Sequence, residues 1–323
     1  MASTLHLSDF VYPQAANLIA FAPLPAIITR TALTGGASFL DTFFLVPGIL
    51  SQQDAVKVND GEYPATAAMT SGYVFRVENQ ATVAFLQRVG KTGHLVDVDV
   101  YKTNDLSHID PIASLSYLAG ISSTMVVAVL LVAMKDYAAL MFLGTLMAAR
   151  FLNVVVIKRR ATLGWKGVKE PGQMGDLMIL ASQDRWIRMR GTVDDLKEVT
   201  AGSWLQEMQP LDSFLACTAS LLMYGSMAFA WKASALGSIL TAGLLVLSSA
   251  LLGICNSTTT KLRMFGCVVG KTGETPYARR RDMADDILKQ TQALGYEDNS
   301  WAVRLGLVTE IKQDKKDVKS VIL

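Results

Sequence analysis

The sequence predicts a membrane α-helical protein: a four-helix transmembrane bundle of two helical hairpins, attached to a composite cytosolic α+β domain. Three observations predict it. Of 323 residues, 51% are apolar, a high share for a soluble chain. Charges are sparse over 112–157 and 211–255 and dense elsewhere. The charged stretches between them carry strand-like alternation.

Four stretches reach the roughly 20 apolar residues that a bilayer crossing needs. Ile112–Met134 carries no charge, and Lys135-Asp136 separates it from Tyr137–Ile157. Leu211–Trp231 and Ala233–Cys255 follow the same plan, with Lys232 between them. Each pair reads as a tight hairpin. The basic residues Lys158, Arg159, Arg160, Lys166, Lys169, Lys261, Arg263 and Lys271 lie beyond the second and fourth helices. By the positive-inside bias those segments are cytosolic and the hairpin tips face outward.

The expected segments are an apolar N-terminal region (1–50), a cytosolic β-rich region (51–111) and hairpin 1 (112–157). A cytosolic α+β insert (158–210), hairpin 2 (211–255) and a cytosolic C-terminal region (256–323) follow. Within the first, Phe10–Thr29 and Thr31–Leu50 are both apolar, separated by Arg30 and interrupted by Pro13, Pro23, Pro25 and Pro47. Proline breaks helices, so one broken span, a re-entrant hairpin and an interfacial anchor all fit. The start, MASTLHLSDF, lacks the basic flank of a signal peptide.

Small residues recur every four positions: Ser116, Gly120, Thr124 and Ala128; Gly144 and Ala148; Ala233, Gly237 and Thr241. Such stripes let helix backbones approach closely, within a subunit or between subunits. Arg150 is the one clear charge inside a span, with Asn153 on nearly the same face. It sits about 10 Å inside the Ile157 end, within snorkelling reach of lipid phosphates. The alternative is an anion-facing or gating position, with Asp41 the only deep acidic partner.

In the soluble segments, 72–78, 82–89, 94–102, 175–182, 183–191 and 301–312 read as strands. Thr192 caps a short helix over 192–200, and 276–294 reads as a polar helix. Because each piece is too small for its own core, the three are expected to assemble into one domain. VGKTG occurs at 89–93 and again at 269–273. A phosphate loop needs a glycine five positions before its Gly-Lys pair, between strand and helix. Phe85 and Phe265 stand there instead, so no nucleotide site is assigned, and the repeat reads either as chance or as two similar hairpins of the cytosolic domain.

Arg185, Trp186, Arg188 and Arg190, with Arg159 and Arg160, are candidates for anionic lipid head groups. His94 with Asp97 and Asp99 makes a poor metal set, because alternation puts the carboxylates on the other face. Cys217, Cys255 and Cys267 have no metal or redox spacing, although Cys255 and Cys267 beside the membrane are open to acylation. No metal or cofactor is expected. The motifs of hydrolases, metalloproteases and lipid transferases are missing, which weighs against an enzyme.

Three functions remain. The first is a non-catalytic scaffold or regulatory subunit acting through the cytosolic domain. The second is an oligomeric channel or transporter using Arg150. The third is a membrane enzyme on a lipid-borne substrate at the cytosolic face, using Asp97, Asp99 or Arg185. The expected partners are membrane lipids and either further copies of the chain or another protein, not nucleic acid.

Overall fold

The computed structural model describes residues 13–103, 110–163, 165, 167–296 and 300–309. His6, His108, Lys166 and the basic tail at Lys315, Lys316 and Lys319 lie outside the described residues.

Two prolines one residue apart, Pro23 and Pro25, split the first apolar stretch. A 3-10 helix (Pro13–Phe21) precedes the break and α1 (Ala26–Leu33) follows it. Together they form a 21-residue candidate span. The four-span, two-hairpin expectation is therefore corrected: among the described residues, five helical stretches are long and apolar enough to cross a membrane. Thr31–Leu50 is not a second span. Beyond α1 it breaks into a 3-10 turn (Phe39–Phe43), and Ile49 opens another (Ile49–Lys57).

Next come β1 (Ala65–Ala68), β2 (Val74–Arg76), α2 (Gln80–Val89) and β3 (His94–Lys102). Residues 82–89, read as a strand, are helical. Asn79 caps that helix by accepting the Thr82 N–H at 3.1 Å, and Val83 and Leu86 turn inward. The spans α3 (Pro111–Ala133) and α4 (Tyr137–Arg160) lead to β4 (Met174–Ala181), β5 (Arg185–Thr192) and α5 (Val193–Thr200). Thr192 caps α5 as expected, accepting the Asp195 N–H at 3.2 Å. Then follow α6 (Pro210–Gly225), α7 (Met227–Ala230), α8 (Ala235–Thr258), β6 (Lys261–Met264), β7 (Cys267–Pro276), α9 (Arg280–Ala293) and α10 (Ser300–Arg304). The strand expected over 301–312 is instead the start of a short helix, and its last three residues lie outside the described set.

The spans do not pair as simple hairpins. α3 packs chiefly against α8, and α4 against α6. Both ends of the antiparallel α3–α8 pair are pinned by carboxylates. Asp136, after α3, accepts the Ser234 N–H at 2.9 Å, and Asp110, before α3, accepts the Thr260 N–H at 3.0 Å. The stripe Ser116, Gly120 and Thr124 faces inward, and a side chain at Gly120 would strike the Phe44 ring. Gly144 and Ala148, by contrast, are on the outside.

Strands from all three soluble segments build one seven-stranded mixed sheet in the order β2-β1-β4-β5-β3-β7-β6. Alternation gives it two apolar faces. One face carries Val96, Val98, Val100, Ile179, Ile187 and Met189 under α2 and α5, and its core continues into Leu33 of α1 and Ile157 of α4. This face joins the sheet to the bundle. The other carries Leu95, Met178 and Trp186 under Met283 and Ile287 of α9 and Trp301 of α10. Burying each such aliphatic side chain contributes about 1.5–3 kcal/mol before entropy is counted. The chain is thus a polytopic membrane protein with a large mixed α+β cytosolic domain interleaved among its spans.

The two VGKTG copies are not similar hairpins. The first is a helix-to-strand turn, with Gly93 at φ +71°. The second lies within β7, where Thr272 is the extra residue of a bulge opposite Asp97 and Val98.

Candidate functional site

The last residue of β3, Lys102, is the cross-strand partner of the first residue of β7, Cys267. Antiparallel partners project to the same face, so both meet α5. On α5, Asp195 and Glu198 are three residues apart and share one side of the helix. Asp195 also lies in the first turn, where the helix dipole favours negative charge. The outcome is a buried group of two carboxylates and a thiol whose ligand atoms all lie within 4.8 Å of one another.

Lys102 Nζ sits 3.1 Å from Asp195 Oδ1 and 2.9 Å from Glu198 Oε2. The Cys267 thiol donates to Glu198 Oε2 at 3.7 Å. Cys267 is 1% exposed. Burial, with Asp195 and Glu198 beside it, pushes its thiol up to about 12, so it is protonated at neutral pH. Hydrogen bonding to Glu198 holds the Lys102 ammonium above the ordinary lysine range. Without an added cation the thiol is therefore not a nucleophile.

The donor chemistry fits a divalent ion. The carboxylates already enclose one cationic centre, the half-exposed ammonium of a flexible side chain. A divalent ion in its place would satisfy two carboxylates and let the thiol ionise. Two oxygens and one sulfur would leave a fourth position for water or substrate, as catalytic zinc requires. Tetrahedral donors stand about 3.5 Å apart, so binding would draw the three slightly inward. This cluster corrects the expectation against an enzyme, since it supplies potential catalytic capacity. The burial of Cys255 and Cys267 also removes them as acylation sites.

The cluster is not legible in the sequence, because its parts are scattered. The Asp195/Glu198 spacing on a capped helix was the only local signal. Nothing in the sequence announced that Lys102 and Cys267 would become strand partners.

The other sequence-predicted site residues are dispersed. Arg150 does not snorkel: it is 4% exposed, and its Nε donates to the Asp41 carbonyl oxygen at 3.3 Å. Asp41 Oδ1 in turn accepts the Tyr117 hydroxyl at 2.5 Å. Asn153 donates to the Ile49 carbonyl at 3.4 Å and accepts from Gln53 at 2.9 Å. Arg159 pairs with Asp212 at 2.7 Å, and Arg160 donates to the Gln206 carbonyl at 2.8 Å. Arg185 donates to the Gln87 carbonyl at 2.7 Å, on the bundle side of the sheet.

Trp186, Arg188 and Arg190 alternate onto the far side, under α9. Trp186 is buried there, and Arg188 grips Asp176 with Nε and Nη2. Arg190 reaches Asp97 at 3.6 Å and Asp176 at 3.8 Å. These residues form no common surface toward lipid. His94 turns from Asp97 to Glu274, at 3.4 Å.

A separate cavity of about 510 Å³ lies between bundle and sheet. Arg30, Ser38, Asp41, Tyr117, Lys158 and Phe265 are among the residues that line it. Phe265 is in the two-residue β6–β7 turn, two positions before Cys267, with φ +53°. That conformation is an outlier for a bulky residue. Comparison with protein-family models, with curated proteins and with solved structures finds no match to this chain.

Proposed function

We propose that the chain is a membrane enzyme. It holds a divalent cation on Asp195, Glu198 and Cys267 and acts at the cytosolic face on a lipid-borne substrate. The observation that carries this reading is the convergence of three buried ligand-type side chains on the sheet face that adjoins the bundle. When bound, the cation supplies Lewis acidity and an activated water. Asp195 and Glu198 hold it, Cys267 adds a soft donor, and Lys102 occupies the seat otherwise and withdraws to admit it. A substrate embedded in the bilayer meets this face without leaving the membrane surface. The outward Gly144–Ala148 pair on α4 supports contact between copies.

The test is metal content and binding in the detergent-purified protein. One equivalent of zinc or manganese should bind, and Glu198→Gln and Cys267→Ser should each weaken it at least about tenfold. A wild-type protein that binds no metal above background would end this reading.

A further inference from the structure

We propose that the cavity between bundle and sheet is a seat for the phosphate head group of an anionic lipid, with Arg30 and Lys158 as its cationic walls. Arg30 lies in the last turn of α1, and Lys158 in the last turn of α4. Both are at the cytosolic ends of their helices, the depth of lipid phosphates. Among the described residues neither makes an ion pair. Arg30 donates to Thr259 Oγ1 at 3.1 Å and stacks over Tyr117 at 5.5 Å, and Lys158 lies 4.7 Å above the Phe39 ring.

Among the described residues the one carboxylate lining the cavity, Asp41, is already engaged. Asp41 accepts from Tyr117 on one oxygen and from the Ser38 N–H, at 2.8 Å, on the other. Two cations against one spent carboxylate leave the cavity positive. Ser38 Oγ accepts the Leu40 N–H at 3.3 Å, which leaves its own proton for an occupant. A volume of about 510 Å³ suits a head group.

The surroundings favour a lipid over a soluble phosphate. Phe39, 54% exposed, stacks on the exposed Phe151 at 6.2 Å, and Leu40 beside it is equally open. These side chains offer acyl chains an apolar path leading from the cation that holds the phosphate. Phe265 closes the sheet side of the cavity and links it by two residues to Cys267. The seat rests on the membrane placement of this face and not on the metal.

The experiment is native mass spectrometry of the full chain, titrated with phosphatidic acid, phosphatidylcholine or glycerol phosphate, with and without a metal chelator. Phosphatidic acid should be retained in preference to phosphatidylcholine, with no effect of chelator. Lys158→Gln should weaken its retention about fivefold, the loss of one cation near a lipid phosphate. Lys158→Arg should restore it, and Lys289→Gln, exposed on α9, should leave it unchanged. Equal retention of both lipids, or an unaltered Lys158→Gln protein, overturns the seat. Glycerol phosphate binding as tightly as phosphatidic acid overturns the lipid as its source. Because the chelator arm is independent, loss of the metal reading leaves this result standing, and the reverse.

Discussion

Lys91 and Lys271, the lysines of the two VGKTG copies, meet on opposite oxygens of a single carboxylate. Lys91 Nζ is 2.8 Å from Glu274 Oε1, and Lys271 Nζ is 2.5 Å from Glu274 Oε2. The repeat thus joins a turn and a bulged strand across an ion triad.

The triad has a pH signature. Lys271 and then Lys91 hold Glu274 down at about 2. A carboxyl depressed on folding stabilises the protein above its unfolded value and loses that contribution as pH falls toward the folded one. In a His94→Gln background, which removes the imidazole facing Glu274 at 3.4 Å, the melting difference made by Glu274→Gln should therefore be constant above about pH 5. It should shrink as pH falls from there toward 2. Because the triad is exposed, the difference should be small and should decrease further in high salt. A difference that grows on acidification would contradict this assignment.

Removing Lys102 should expose the value of its charge. Lys102→Met leaves Asp195 and Glu198 buried without their counter-ion. Truncating one side of a buried pair costs about 3–5 kcal/mol, and the half-exposed lysine reduces that to about 1–3 kcal/mol. Zinc or manganese should recover the lost melting temperature in Lys102→Met. The same metals should do little for a Lys102→Met, Glu198→Gln double variant.

Asp176 and Arg188 form a buried bidentate pair beneath α9, extended by Arg188 Nη1 donating to Gln290 at 2.7 Å. Asp176→Asn should destabilise the cytosolic domain by about 3–5 kcal/mol, because an unpaired guanidinium stays buried. Asp176→Leu with Arg188→Met should recover most of that loss in denaturant titrations. If the single variant melts like wild type, the pair is not closed in solution.

Arg150 gives a discriminating test of its burial. A snorkelling arginine would tolerate leucine or lysine. The observed arginine ties the Phe39–Phe43 turn to α4 through the Asp41 carbonyl. Arg150→Leu and Arg150→Lys should each cost about 1–3 kcal/mol, the range for stranding a buried partner. Thermal melts in mild detergent measure this, with insertion checked separately by membrane fractionation.

The sequence was legible wherever one period dominated. The α3, α4 and α8 spans are continuous apolar runs, and β3 and β5 alternate apolar with polar side chains. It misled where short-range preference and tertiary context disagreed. Residues 82–89 are rich in β-branched and aromatic side chains, yet the Asn79 cap and the packing of Phe85 and Leu86 make them helical. For Arg150 the sequence offers only the general cost of charge in lipid. Its position depends on the turn at Asp41, which lies 109 residues earlier and follows no periodic rule. The Lys102–Cys267 pairing likewise exists only in the assembled sheet.

That sheet has a consequence for biosynthesis. β3 sits between β5 and β7, strands that emerge from the ribosome only after one and then two further pairs of spans. Until the last pair has threaded correctly, β3 presents a row of unsatisfied amides and carbonyls to the cytosol. A chain with one misplaced helix would strand β7 on the wrong side and keep that edge open. Closure of the sheet therefore requires that every crossing has been made in the right sense.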